Sequence, residues 1–192
     1  MCESRCAICK AELTTLPYSR DFVLYSDEKF YCIDCLIKRR TAPRTKSDKW
    51  SKTDAQSKIE SLIEQTQDYL TFCSEKEQLN EYIDKKYAPS YVPSSFYNKL
   101  NSIFQGTYKG LKRPVPPLDL LEMLQQKEGY LDKVAASKWG ADGPDPMSRI
   151  NWDIAIVLSK YDSFLNWKLL PCNQNQGGVL WKKSSFRLWS AS

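Results

Sequence analysis

Two short cysteine pairs near the start of the chain, Cys6-Ala-Ile-Cys9 and Cys32-Ile-Asp-Cys35, limit what the first forty residues can become. A segment that short cannot bury enough apolar surface to hold itself folded, and domains of such size lean on a metal or on cross-links. Two CxxC pairs so separated can bring four thiolates to one tetrahedral ion, and zinc is the expected occupant. The chain contains no histidine, so a metal site must be all-thiolate, or thiolate with carboxylate. Four thiolates leave no coordination position for water, so one structural zinc on Cys6, Cys9, Cys32 and Cys35 is expected. The same ligands admit iron, and Cys2 could stand in for Cys6 only at a spacing poor for a knuckle. Seven cysteines is an odd number. With four of them in metal spacing, a disulfide scaffold is the poorer account and a reducing, cytoplasmic setting the better one.

The order of elements around the pairs is informative. Cys6 to Lys10 reads as a metal-binding turn. Phe22-Val23-Leu24-Tyr25 and Lys29-Phe30-Tyr31, joined by Ser26-Asp27-Glu28, read as a β-hairpin. Ile33 to Arg40 has no breaker and is predicted to be a helix, whose positive end would favour the second pair of thiolates. Turn, hairpin and helix in this order resemble the treble-clef or zinc-ribbon-like class of zinc modules over residues 1–40. The resemblance implies an architecture and leaves function open. Treble-clef nucleases of the His-Asn-His type need a histidine, so that activity is excluded by composition. A redox CxxC would call for a βαβ context, which is missing.

The rest of the chain is predicted to be helical. Residues 41–53 read as a basic linker. Residues 54–170 read as a bundle of about five helices, and 171–192 as a basic, tryptophan-containing tail. Ile59, Leu62, Ile63, Thr66, Tyr69, Leu70 and Cys73 share one helical face. Ser74-Glu75-Lys76-Glu77 has the form of a capping box and predicts a fresh helix start there. Ser94 or Ser95 can cap a third helix carrying Phe96, Leu100, Ile103 and Phe104, with Gly106 at its stop. Pro117 suits the first turn of a fourth helix, which carries Leu121, Leu124, Leu131, Val134 and Ala135 inward. Ile150, Ile154, Val157, Leu158, Tyr161 and Leu165 predict a fifth. The fold class expected is therefore mainly α, with a small treble-clef-like zinc module followed by a helical bundle.

Charge is unevenly placed. Lys38, Arg39, Arg40, Arg44, Lys46, Lys49 and Lys52 follow the second cysteine pair with only Asp48 among them, and Lys99, Lys109, Lys112 and Arg113 lie in a stretch without acids. The acid-rich residues 53–89 separate the two, and residues 118–145 return to acidic. The candidate phosphate contacts are Lys38, Arg39, Arg40, Arg44, Lys46, Lys109, Lys112 and Arg113, each adding salt-dependent affinity. Trp50 could stack on a single-stranded base. A solvated linker accounts for the first run equally well. Asn98, Lys99, Asn101, Ser102 and Gln105 could form the polar face of a helix-turn-helix reader, but the preceding connection is long, and a core helix with a polar exterior is preferred. Trp181 and Trp189 could dock on a partner or pack on the bundle. Trp139, Trp152 and Trp167 are expected to pack. Asp142, Asp145 and Asp153 could be drawn as a magnesium site, although a loop and helix cap explain them better.

There is no Walker-type loop, no GxGxxG, no run of about eighteen apolar residues and no apolar signal segment at the N-terminus. The expectation is a non-enzymatic, zinc-dependent protein that binds nucleic acid or a nucleoprotein assembly as a regulatory or accessory factor. Its size, lysine-rich composition and module-plus-bundle plan are similar to those of small phage and mobile-element proteins. The alternative is a protein-binding adaptor or inhibitor whose basic patches face a nucleic-acid-processing partner.

Overall fold

The structure, a computed structural model, describes residues 4–13, 19–43, 49–140 and 143–169. Among the described residues four short strands come first: β1 (Ser4–Arg5), β2 (Glu12–Leu13), β3 (Phe22–Leu24) and β4 (Phe30–Cys32). Six helices follow among them: α1 (Ile33–Thr41), α2 (Ala55–Tyr87), α3 (Ser94–Gln105), α4 (Pro117–Trp139), α5 (Pro146–Leu158) and α6 (Tyr161–Lys168). The protein is mainly helical, with a small turn–hairpin–helix module at its N-terminal end.

β3 and β4 pair antiparallel, with Val23 opposite Tyr31. Their loop closes through Tyr25 N–H to the Lys29 carbonyl, and Glu28 takes a left-handed φ of 59° to finish it. That is the three-residue hairpin the sequence predicts. β1 and β2 form a second antiparallel pair that the sequence does not announce. Strands of two residues show no alternation to read.

The module does not stand apart from the helices. Val23, Tyr25, Tyr31 and Leu36 form one core with Trp50, Ala55, Ile59 and Ile63. Trp50, expected in a basic linker, is only 5% exposed. Its N–H donates to the Arg40 carbonyl and its ring meets Tyr25 at 6.1 Å. Leu24 N–H donates to Thr66 Oγ1 at 2.8 Å, which ties the hairpin to α2.

The chain splits into two compact units, Met1–Leu121 and Glu122–Ser192. In the first, the later part of α2 buries Leu79 and Ile83, and α3 buries Phe96, Leu100, Ile103 and Phe104. Phe72 and Phe104 meet edge to face at 5.8 Å, and Lys76 Nζ donates to Asn101 Oδ1. Gly106 ends α3 with a φ of 74°, as predicted, and lies so near Pro114 that a Cβ would come within 2.6 Å of its nitrogen. In the second unit, α4 buries Met123, Leu124, Leu131 and Ala135, α5 buries Ile150, Ile154, Val157 and Leu158, and α6 buries Tyr161 and Phe164.

Two helix boundaries differ from expectation. α2 runs unbroken through Ser74, where a cap was predicted. The segment has no Gly or Pro, and buried Leu70, Glu75, Leu79 and Ile83 continue one stripe through it, so nothing there favours stopping. The predicted fifth helix is two, α5 and α6, parted at Ser159 and Lys160. Ser159 Oγ and the Lys160 N–H bond back to carbonyls of α5, which closes that helix before the apolar period does. Pro117 begins α4 as expected, whereas α3 starts after Pro93 without a serine side-chain cap.

Candidate metal centre

The four cysteines meet. The Sγ atoms of Cys6, Cys9, Cys32 and Cys35 all lie within 4.8 Å of one another. Cys6 and Cys32 are 3.4 Å apart, and Cys9 and Cys32 are 3.5 Å apart. A disulfide would need about 2.05 Å, so these are free thiols. Zinc–thiolate bonds of about 2.3 Å put the sulfurs of a tetrahedral site roughly 3.8 Å apart. The cluster therefore fits a single four-thiolate ion. Among the described residues no other group of cysteines and carboxylates converges this way.

Each pair arrives on its own scaffold. Cys6 and Cys9 sit on the turn between β1 and β2, where Cys6 N–H bonds the Ala11 carbonyl and Lys10 N–H bonds the Cys6 carbonyl. Lys10 closes that turn with a left-handed φ of 65°, and its Nζ donates to the Ala7 carbonyl. Cys32 is the N-cap of α1 and makes no side-chain cap bond. Cys35 is three residues on, so both sulfurs face the positive end of the same helix. Ala7 N–H donates to the Phe30 carbonyl at 2.9 Å and joins the two scaffolds.

The electrostatics of the cluster are unequal. Burial raises the pKa of the Cys6 thiol, but the backbone amides of Cys9, Cys32 and Ile8 outweigh it and bring it down to about 6. Cys32 is pushed up to about 12 by burial and by its hydrogen bonds to Cys35, Cys6 and Cys9. Crowded sulfurs share protons because they cannot all carry charge together. A divalent ion supplies the positive charge that lets all four ionise. Cys6 is fully buried and Cys9 exposed, so the cluster lies at the surface with one wall in the core.

The proposed phosphate contacts fall in three groups. Lys38 is exposed on the last turn of α1. Arg39, beside it, donates to the Tyr31 hydroxyl, which in turn donates to Asp27 Oδ2 at 2.6 Å. Burial, and then Asp27, hold the Tyr31 pKa above its ordinary value. Arg40 is only 9% exposed, and its guanidinium lies 4.3 Å over the Tyr25 ring. Its planar cation walls the core, which counts against Arg40 as a phosphate contact. Lys109, Lys112 and Arg113 are exposed on the loop after α3. Lys99 is half-buried over Tyr108, and burial lowers its pKa. Arg44, Lys46, Asp142, Trp181 and Trp189 lie outside the described residues.

Burial also removes Trp50 as an open stacking surface. Trp139 and Trp152 pack edge to face at 4.7 Å, with Lys138 over both rings. Trp167 stacks on Phe164 but stays 42% exposed. The acidic residues resolve as a cap and an ion pair. Asp145 accepts from Ser148 N–H at the start of α5, and Asp153 is buried against Arg149. Sequence reasoning placed Lys10 in the metal-binding turn but missed its left-handed backbone and the Asp27–Tyr31–Arg39 chain.

In comparisons with family models, curated proteins and solved structures, nothing matches this chain.

Proposed function

We propose that the protein is a non-enzymatic, zinc-dependent accessory factor that binds nucleic acid or a nucleoprotein assembly. The observation that carries the reading is the converged tetrathiolate cluster at the head of α1, a helix whose last turn is cationic. One structural zinc would hold the knuckle and the helix together, and α1 would present Lys38 to a polyanion. Lys109, Lys112 and Arg113 would supply a second set of phosphate contacts. Zinc is preferred to iron because a closed all-thiolate site of this kind is its usual structural setting.

Two measurements test this. The purified chain should carry about one zinc per molecule by native mass spectrometry and elemental analysis. Affinity for a short nucleic acid should fall steeply with salt. The pair Lys38→Ala and Lys109→Ala should reduce the slope of log K against log salt by about 0.9 per lost duplex contact, or about 0.7 on a single strand. Absence of binding to either probe at low salt would overturn the nucleic-acid reading.

A second reading is favoured by specific observations. Arg39 and Arg40 are engaged within the module, and Tyr91 and Tyr97 are 73% and 44% exposed near the start of α3. These suit a protein-binding adaptor or inhibitor better than a phosphate groove. Binding to a protein partner that persists at high salt and after nuclease treatment would support it.

A further inference from the structure

We infer that the metal latches only the Cys6–Cys9 knuckle, so that losing the ion opens residues 4–13 while the β3–β4 hairpin and α1 remain docked on α2. The inference rests on the metal reading above and concerns what that metal controls.

The module is attached in two different ways. Hairpin and helix are held by burial: Val23, Tyr25, Tyr31 and Leu36 share a core with Trp50, Ala55, Ile59 and Ile63 of the chain beyond the module. Leu24 N–H bonds Thr66 Oγ1 in the middle of α2, and Trp50 N–H bonds the carbonyl of Arg40 at the end of α1. None of these interactions uses a sulfur. They would persist without an ion.

The knuckle has little of this kind. Its two strands are two residues each, and isolated two-stranded hairpins are marginal in water. Among the described residues, one backbone–backbone hydrogen bond, Ala7 N–H to the Phe30 carbonyl, and a long one from Cys32 N–H to Cys6 Sγ at 3.5 Å carry it to the rest of the module. Beyond the buried ligand Cys6, its apolar contribution to the shared core is Ala7, a single methyl group, and Ile8 at the tip stays 45% exposed. Lys10 adds a left-handed residue that is not glycine, a conformation that opposes folding. Two of the four ligands, Cys6 and Cys9, belong to this segment, while Cys32 and Cys35 belong to the anchored part. The ion is therefore the bond between them. Opening would uncover the side of the core on which Ala7 rests, giving the protein a metal-dependent surface without global unfolding.

Amide hydrogen exchange on the full chain, with zinc and after chelation, tests this directly, with native mass spectrometry counting the metal in each sample. On metal loss, the amides of Cys6, Ala7 and Lys10 should lose protection on the order of a hundredfold, whereas those of Leu24, Tyr25 and Trp50 should change little. The double substitution Cys6→Ser and Cys9→Ser should reproduce that pattern without chelator. Leu36→Ala, which weakens the shared core, should expose both groups of amides together. Simultaneous loss at Leu24 and Trp50 on chelation would overturn the latch and leave the metal site standing. A knuckle that stays protected without metal would overturn it too. A full chain that takes up no zinc would sink the metal reading, and the mass measurement separates that result from the others.

Discussion

Asp153 has no solvent exposure, yet it is a carboxylate. Arg149, one turn earlier on α5, places Nε 2.9 Å from Asp153 Oδ2 and reaches Asp132 Oδ1 on α4 with Nη2 at 2.7 Å. Replacing the arginine removes a partner from a charge that cannot reach water. Arg149→Leu should cost about 3–5 kcal/mol in urea unfolding, and a second change, Asp153→Leu, should recover much of it. Asp145 is the contrasting acid. Its hydrogen bond from Ser148, at the start of α5, holds its carboxyl below the usual range. The stability it adds is present above its unfolded pKa and is lost as pH falls through the folded one. Asp145→Asn should flatten that acid limb in a pH series of melts. At this scale the cysteine ligands were legible because metal spacing is written in four positions. Arg40 and Trp50 were not. A cation and an indole inside a basic run look solvated until the rings they pack against are known.

Helix existence was readable throughout, because apolar residues three and four apart mark a buried face wherever the helix lies. Helix ends were read well where backbone chemistry forces them, at Gly106 and Pro117. They were misread where a side chain only offers an end. Ser74 is the clearest case, since its capping pattern sits inside a helix that packing continues. The two alternatives give opposite signs. Within a helix, Ser74→Ala should raise stability by up to about 0.5 kcal/mol, whereas at a true N-cap it would cost about 1 kcal/mol. Gly106 has no such latitude. Gly106→Ala should cost more than about 1 kcal/mol, from the left-handed φ and the clash with Pro114 together. Chemical denaturation of the two variants checks both expectations. The knuckle strands escaped prediction for a different reason. At two residues each, they are too short to show an alternation.

For the molecule as a whole, metal binding and proton release are linked. At neutral pH the thiol of Cys32, pushed up to about 12, and that of Cys35, also raised above its ordinary value, hold protons that an incoming ion must displace, while Cys6 is brought down to about 6. Apparent zinc affinity should therefore fall at least about a hundredfold for each unit of acidification, and more steeply below about pH 6, where Cys6 also takes a proton. Competition titrations against a chelator across that range, together with proton release in weakly buffered solution, would show the slope and its steepening. α2 sets a different constraint. At 33 residues it is about 50 Å long, with the module's core near its first turns and α3 beside its later ones. Those two surfaces are therefore held in fixed rotational phase. A single residue inserted between Leu70 and Glu75 would turn one against the other by about 100°. Seven inserted residues, close to two whole turns, would nearly restore the phase while lengthening the separation by about 10 Å. The chain should tolerate many substitutions along this span, but few changes in its length.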